Sequence, residues 1–131
     1  MLLFGWSDDR MEAIAVRADK ALLQLSTTAR TFDVALQNSG LDLVLHVYKR
    51  PVRSWPFCSD IGRPALPEEI WRATRGSVTI ELSPAGIRAR APFLYRARIR
   101  IVGAEFVNAS GVRVTLQQAI TLTAIVGGGV G

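Results

Sequence analysis

The sequence predicts an all-β protein that folds as one antiparallel β-sandwich of about seven to eight strands, with one short helix in a long connection. Apolar and polar residues alternate in many short segments, as in the Tyr-Arg-Ala-Arg-Ile-Arg-Ile stretch at 95–101, and this period of two is typical of strands. Turn sequences separate these segments every eight to twelve residues or so. No segment shows the strand–helix–strand rhythm of a parallel α/β fold.

Composition is consistent with a single domain covering residues 1–131. The chain is 49% hydrophobic and 21% charged, which excludes an intrinsically disordered protein and supplies a core for a domain of this length. The one cysteine, Cys58, excludes an intrachain disulfide and favours the cytoplasm by default. We see no signal peptide and no apolar run long enough for a membrane helix. A secreted mature form is an open alternative.

The first third of the chain is ambiguous between helix and strand. Residues 7–29 fit an N-terminal helix, with Ser7 as N-cap and an apolar stripe that includes Ile14 and Leu22. The same residues also fit two strands joined by a turn at Asp19 and Lys20. The β character of the rest of the chain favours the two strands. Residues 31–47 then predict a β-hairpin, because Asn38-Ser39-Gly40 supplies a turn between two alternating segments.

Residues 49–75 interrupt the alternation and predict a long crossover loop. The segment contains four of the six prolines and two of the three tryptophans. Within it, the sequence at 67–72, Pro-Glu-Glu-Ile-Trp-Arg, predicts one or two helical turns, since proline and acidic residues favour the first turn of a helix. Long connections are often functional. Trp55, Phe57 and Trp71 are therefore candidate binding residues, with sealing of the open end of the sandwich as the alternative role.

The second half of the chain predicts a further hairpin and two long strands. Residues 77–82 and 87–91 alternate around a turn at 83–86, and the strand that begins at Tyr95 continues to Val107 through a bulge at Gly103. Residues 112–126 form the last strand, where Gln118 marks a bulge or needs a buried partner. Together these strands indicate a sandwich of immunoglobulin-like or Greek-key type.

Arginines dominate the basic half of the chain and are the clearest candidate surface. The formal net charge is +5, and residues 49–131 carry twelve bases and five acids. Five arginines are predicted on strand faces with no acid between them, and they are candidate binding residues for a polyanion or an acidic protein: Arg88, Arg90, Arg96, Arg98 and Arg100. The alternative is an ordinary solvated sheet face. Because like charges on neighbouring strands repel, we expect threonines of the last strand and glutamates to lie beside Arg96, Arg98 and Arg100.

A catalytic or metal site has little support in the sequence. His46 is the only histidine, and Cys58 is surrounded by no known catalytic motif. One histidine and one cysteine do not fill a four-ligand zinc site without two carboxylates. We therefore expect no metal, no cofactor and no catalytic residues.

Three functions follow from the sequence as hypotheses. The first is a non-enzymatic structural or binding module that contacts a protein partner or copies of itself. The second is binding of nucleic acid or another polyanion through the arginines, although no aromatic residues are interleaved among them for base stacking. The third is a small enzyme or ligand-binding domain with a site near His46 and Cys58.

Overall fold

The structure of the protein is a computed structural model. It describes residues 2–19, 29–34, 40–53, 65–85 and 94–127. In these ranges it is all-β, with eight strands and no helix. The strands are β1 (Leu2–Trp6), β2 (Glu12–Ala18), β3 (Arg30–Asp33), β4 (Leu41–Val47), β5 (Glu69–Pro84), β6 (Leu94–Val107), β7 (Arg113–Thr115) and β8 (Ile120–Gly127).

All described strands pair antiparallel and belong to one sheet, with the order β1-β2-β4-β5-β6-β7. Strands β5 and β6 are much longer than their neighbours, so each pairs with two strands along its outer edge. On β5 the first half pairs with β4 and the second half with β3. On β6 the first half pairs with β8 and the end with β7. The sandwich of two separate sheets is therefore not confirmed, since hydrogen bonds connect all eight strands into one sheet.

Bulges divide the long β5–β6 ladder into two halves. The register shifts between Ala73 and Arg75 and again between Arg75 and Ser77. Gly76 and Gly103 have positive φ values of 130° and 62° at this point, a backbone conformation that glycine adopts at low cost. Bulges bend strands and increase their twist. The bulge expected at Gly103 is confirmed.

One apolar core cluster combines residues from both halves of the sheet. Val16 and Leu43 come from β2 and β4, whereas Ile80 and Ile99 come from the second half of β5 and the first half of β6. Strand β1 also contacts β8, and a Cβ atom at Gly5 would lie 2.3 Å from Leu122 Cδ2. Side chains from both halves of the sheet therefore contribute to one core.

The short helix expected at 67–72 is wrong, because residues from Glu69 onward belong to β5. The local sequence is typical of a first helical turn, but pairing with β4 and burial decide the structure. Trp71 lies opposite Leu45 of β4, and both side chains pack partly buried against the main core. Cross-strand packing of this kind overrides local propensity.

The alternative of an N-terminal helix is also wrong for its described part. Residues 12–18 form β2, which pairs with β1 on one side and β4 on the other. Both faces of β2 are covered, because Ile14 and Val16 face the main core while Ala13 packs in a second cluster with Tyr48 and Val52. The second strand predicted near residue 23 lies outside the described residues.

The hairpin predicted for residues 31–47 differs from the structure in its pairing. Both strands exist, as β3 and β4, but each pairs with a different half of β5. The hairpin strand at 87–91 lies outside the described residues. The single last strand predicted for residues 112–126 is also wrong, because residues 116–119 separate two strands, β7 and β8, and Gln118 is exposed between them.

Candidate functional site

The most distinctive described surface lies on the outer side of β6. Arg96, Arg98 and Arg100 are exposed, while Ala97 and Ile99 between them are fully buried. Successive strand residues point to opposite faces, so burial of the apolar set fixes the arginines on the outside. Alternate residues on a strand are about 6.6 Å apart along its axis. The Cα atoms of the three arginines therefore form an evenly spaced row.

Threonines and Glu81 neighbour this row, as the sequence predicts, whereas the second glutamate expected there, Glu105, lies opposite Arg75 and Thr115. Each arginine lies opposite one residue of β5 and one of β8: Arg96 faces Ser83 and Ile125, Arg98 faces Glu81 and Thr123, and Arg100 faces Thr79 and Thr121. No arginine of the row has a like charge directly across on either strand. We call these nine residues together the Arg–Thr face.

Electrostatically, the Arg–Thr face has three cations and a single carboxylate, that of Glu81. Within the described part of the chain, none of the three guanidinium groups forms an ion pair; the ion pairs found there join Arg72 to Asp42 (3.7 Å) and Arg113 to Glu105 (2.6 Å). The Oγ1 atoms of Thr31 and Thr79 are 2.9 Å apart and hydrogen bond, extending the polar surface to β3. The arginines are therefore available to an anionic group.

Strand β8 forms an edge of the sheet beside this face. Among the described strands it pairs only with β6. Its outer side chains Thr121, Thr123 and Ile125 are exposed, the last at 55%. The strand sequence, ITLTAIVG, contains no charged residue and no proline. An edge of this kind presents unpaired backbone donors and acceptors without the charges or prolines that usually prevent pairing with another chain.

His46 and Tyr48 form a small polar pair on the other half of the sheet. His46 Nδ1 lies 3.4 Å from the Tyr48 hydroxyl. Burial, with a smaller contribution from the charge of Arg72, lowers the pKa of His46 from its ordinary 6.5. Burial also raises the pKa of the Tyr48 phenol. Both side chains are therefore neutral at pH 7.

The described residues do not assemble a catalytic or metal site around His46. Asp42 lies four residues away along β4, which places it about 13 Å from His46, and it pairs with Arg72 instead. Cys58, which the third hypothesis names together with His46, lies outside the described residues. No group of three or more His, Cys, Asp or Glu side chains suited to a metal ion is found in the described ranges.

The other predicted binding residues have different locations. Arg88, Arg90, Trp55 and Phe57 lie outside the described residues. Trp71 is on β5 and packs against the main core, a position that favours a packing role. Two features were missed from the sequence: the open edge of β8 and a basic cleft beside Tyr48. The signal for the edge is visible in the printed sequence, because Arg113 is the last charged residue.

In the described ranges, the structure contains no helix of the length and apolarity that crossing a membrane requires. Compared with models of protein families, with curated proteins and with solved structures, the chain has no significant match.

Proposed function

We propose that the chain is a non-enzymatic β module that binds other protein chains, including copies of itself, through the open edge of β8 and the adjoining Arg–Thr face. The observation that carries this proposal is the composition of the edge: β8 is eight residues long and contains no charge and no proline. Natural edge strands of this length are usually protected by lysine, proline, a bulge or a covering segment.

Strand addition is the mode of contact that this edge supports. A partner strand that pairs with β8 gains main-chain hydrogen bonds along its length, while alternate side chains determine specificity. On the outer side, the partner would meet Thr121, Thr123 and Ile125 and then the arginine row one strand further in. A partner with carboxylates at that position would neutralise the three arginines.

We also propose that the two halves of the sheet pack face to face as the two layers of a β-sandwich. The shared core cluster and the contact between Gly5 and Leu122 support this interpretation. In that arrangement the apolar faces are turned inward and the Arg–Thr face is turned outward as a contact surface. Sandwiches keep two apolar faces about 10 Å apart with polar residues outside.

Lysines placed on the β8 edge test the proposal. We expect native mass spectrometry and analytical ultracentrifugation at micromolar concentration to show oligomers of the unmodified chain. The double variant Thr121→Lys/Thr123→Lys should shift these to monomer, because edge lysines oppose strand pairing. Ala109→Lys/Ser110→Lys, which adds the same two charges in an exposed turn, should leave the oligomers unchanged. A monomeric parent chain that also shows no strand pairing with any protein partner in hydrogen exchange would contradict the proposal.

The second candidate function is binding of a polyanion, and it is favoured by the three arginines that no described carboxylate pairs with. Their even spacing along one strand suits a linear anion such as a single-stranded nucleic acid. The Arg–Thr face has no aromatic side chain, so base stacking there is absent and binding would depend on phosphate contacts without sequence preference.

Salt dependence distinguishes this second candidate. For a single-stranded oligonucleotide, each phosphate contact contributes a slope of about −0.7 to the plot of log K against log salt concentration. The triple variant Arg96→Gln/Arg98→Gln/Arg100→Gln should therefore lose about two units of slope. Arg17→Gln, an exposed arginine on β2, is the matched control. An identical slope in the triple variant and the parent chain would eliminate the arginine row as a phosphate-binding surface.

A further inference from the structure

A basic cleft opens where β4 leaves the sheet. It has a volume of about 620 Å³ and is lined by Tyr48, Lys49, Arg50, Pro51, Val52, Arg53, Ala65 and Leu66. These residues come from the two ends of the long connection between β4 and β5, and none of them is among the binding residues predicted for that connection from the sequence. The volume lies in the range of cavities that hold small molecules, about 300–1,000 Å³.

The cleft is built on an anchored backbone. The Tyr48 amide donates to the Met11 carbonyl (2.8 Å), and the Val52 amide donates to the Arg10 carbonyl (3.0 Å). Arg10 Nε in turn donates to the Val52 carbonyl (2.6 Å), and its guanidinium lies 5.0 Å from the centre of the Trp6 ring. Tyr48 and Val52 are buried at 3% and 4% exposure in the second core cluster. The floor of the cleft is therefore fixed before any ligand arrives.

Charge in the cleft is of one sign. Lys49 and Arg50, between the buried Tyr48 and Val52, and Arg53, directly after Val52, are exposed, and all three line the cleft. No acidic residue is among the described lining residues. Arginine and lysine donors bind carboxylate or phosphate groups through charge-assisted hydrogen bonds, which are stronger than hydrogen bonds between neutral groups.

Part of the cleft lining is apolar. Leu66 is 82% exposed, the largest exposure of any large hydrophobic residue in the described ranges, and Ala65 beside it packs against the second core cluster. A single exposed leucine has no significance by itself. Here it faces the same space as three cations, and pockets that bind small molecules combine an apolar lining with a few convergent polar groups.

We infer that this basic cleft binds a small amphipathic anion, whose apolar body lies against Leu66, Ala65 and Pro51 and whose phosphate or carboxylate group pairs with Lys49, Arg50 and Arg53. The cleft is formed by residues on either side of the β4–β5 connection and shares none of them with the β8 edge or the Arg–Thr face. The inference is therefore independent of the proposed function.

Binding of three probes to the full chain tests the charged contact and the apolar contact separately. The probes are octyl phosphate below its micellar concentration, 1-octanol and inorganic phosphate. Octyl phosphate should bind saturably with one molecule per chain, with amide NMR shifts at residues 48–53 and 65–66. 1-Octanol has the apolar body without the charge, and inorganic phosphate the charge without the body. Each should bind at least about tenfold more weakly, since an ionic hydrogen bond or a buried alkyl chain contributes an order of magnitude or more to affinity.

Variants then assign the contacts. Arg50→Gln/Arg53→Gln should weaken octyl phosphate binding about tenfold, because it removes two charge-assisted contacts. Leu66→Ala should weaken it about fivefold through loss of apolar contact. Arg17→Gln/Arg75→Gln removes the same charge from exposed positions on β2 and β5 outside the cleft and should have no effect. All these side chains are exposed, so folding is preserved.

The inference is overturned if octyl phosphate shows no saturable binding, or if both double variants bind it equally. Vesicles of phosphatidylserine form the last arm of the test. Binding to these vesicles without binding to free octyl phosphate would also overturn it, and would assign the cations to a membrane surface.

Discussion

At the scale of single residues, two glycines determine how the longest strands bend. Gly76 has φ of 130° and Gly103 φ of 62°, and both lie at the register shifts between β5 and β6. Their surroundings differ. A Cβ atom at Gly76 would lie 2.8 Å from Ala104 Cα, whereas a Cβ atom at Gly103 would have nothing within 4 Å. Comparing substitutions at these two glycines therefore distinguishes the cost of backbone strain from the cost of steric overlap.

Replacing each glycine with alanine tests this difference. Gly103→Ala should lower the free energy of unfolding by about 1–2 kcal/mol, the cost of a left-handed backbone for a residue with a Cβ atom. Gly76→Ala should lower it by about 3 kcal/mol or more, because overlap with Ala104 is added to a φ value that only glycine readily adopts. Urea denaturation of both variants measures the costs. Equal costs would mean that Ala104 moves aside freely.

His46 gives a second residue-scale prediction, on pH dependence. Its pKa is lowered in the folded protein by burial and by Arg72, so between pH 6.5 and the lowered value the unfolded chain binds a proton that the folded chain does not. The free energy of unfolding should therefore fall as the pH decreases through this window. His46→Gln should remove that slope, as measured by urea denaturation from pH 8 to pH 5.

The carboxyl groups with shifted pKa act in a lower pH range. Hydrogen bonding by Arg113 lowers the pKa of Glu105 from 4.5, and hydrogen bonding by Ser7 lowers that of Asp9 from 3.8. Their contribution to stability is present above these values and is lost only as the pH falls below them. A slope between pH 6.5 and pH 5 that persists in His46→Gln would show that another group titrates there.

At the scale of elements, cross-strand neighbours decide the effect of a surface charge. Thr123 lies opposite Arg98, whereas Thr115 of β7 lies opposite Glu105. Thr123→Glu should therefore raise the free energy of unfolding by about 0.2–1 kcal/mol, and Thr115→Glu should lower it by a similar amount. Thermal denaturation at low salt measures both, and the difference should shrink in 1 M salt. Shifts of the same sign would contradict the observed register.

The alternation in the sequence determines the faces of the strands but not their partners. It predicts that Tyr95, Ala97, Ile99 and Ile101 share the inner face, because burial follows directly from a period of two. The structure buries the last three fully and Tyr95 partly. It does not predict that β3 and β4 both pair with β5, since pairing depends on contacts between segments far apart in the chain. The same limit explains the wrong helix at Trp71, where only the cross-strand contact with Leu45 identifies a strand.

For the candidate sites, the sequence predicts charge but not shape. Alternation predicts that Arg96, Arg98 and Arg100 are exposed. Repulsion between like charges predicts that threonines lie beside them. The cleft does not follow, because it requires the anchoring of Val52 by Arg10, more than 40 residues earlier in the chain. An edge strand, too, is defined only when the order of the whole sheet is known.

At the scale of the whole molecule, one core cluster serves both halves of the sheet, so the described structure should unfold as a unit. Leu43→Ala in the first half and Ile80→Ala in the second should each lower the free energy of unfolding by about 2–5 kcal/mol. In both variants, tryptophan fluorescence and far-ultraviolet circular dichroism should report the same midpoint in urea. Separate midpoints in either variant would show that the halves unfold independently.

The contact of Gly5 with Leu122 has a consequence for the rate of folding. It joins β1 to β8, segments separated by most of the chain, and the space for the Leu122 side chain exists because position 5 has none. Contacts of such long sequence separation form late, after a large loss of chain entropy, and all-β proteins rich in them fold in milliseconds to seconds. Until β1 and β8 meet, the apolar face of β8 stays in water, beside an edge that carries no charge. During that time, neighbouring chains can pair with β8 in place of its own core contacts. A slower folding step therefore lengthens the period in which association between chains competes with folding.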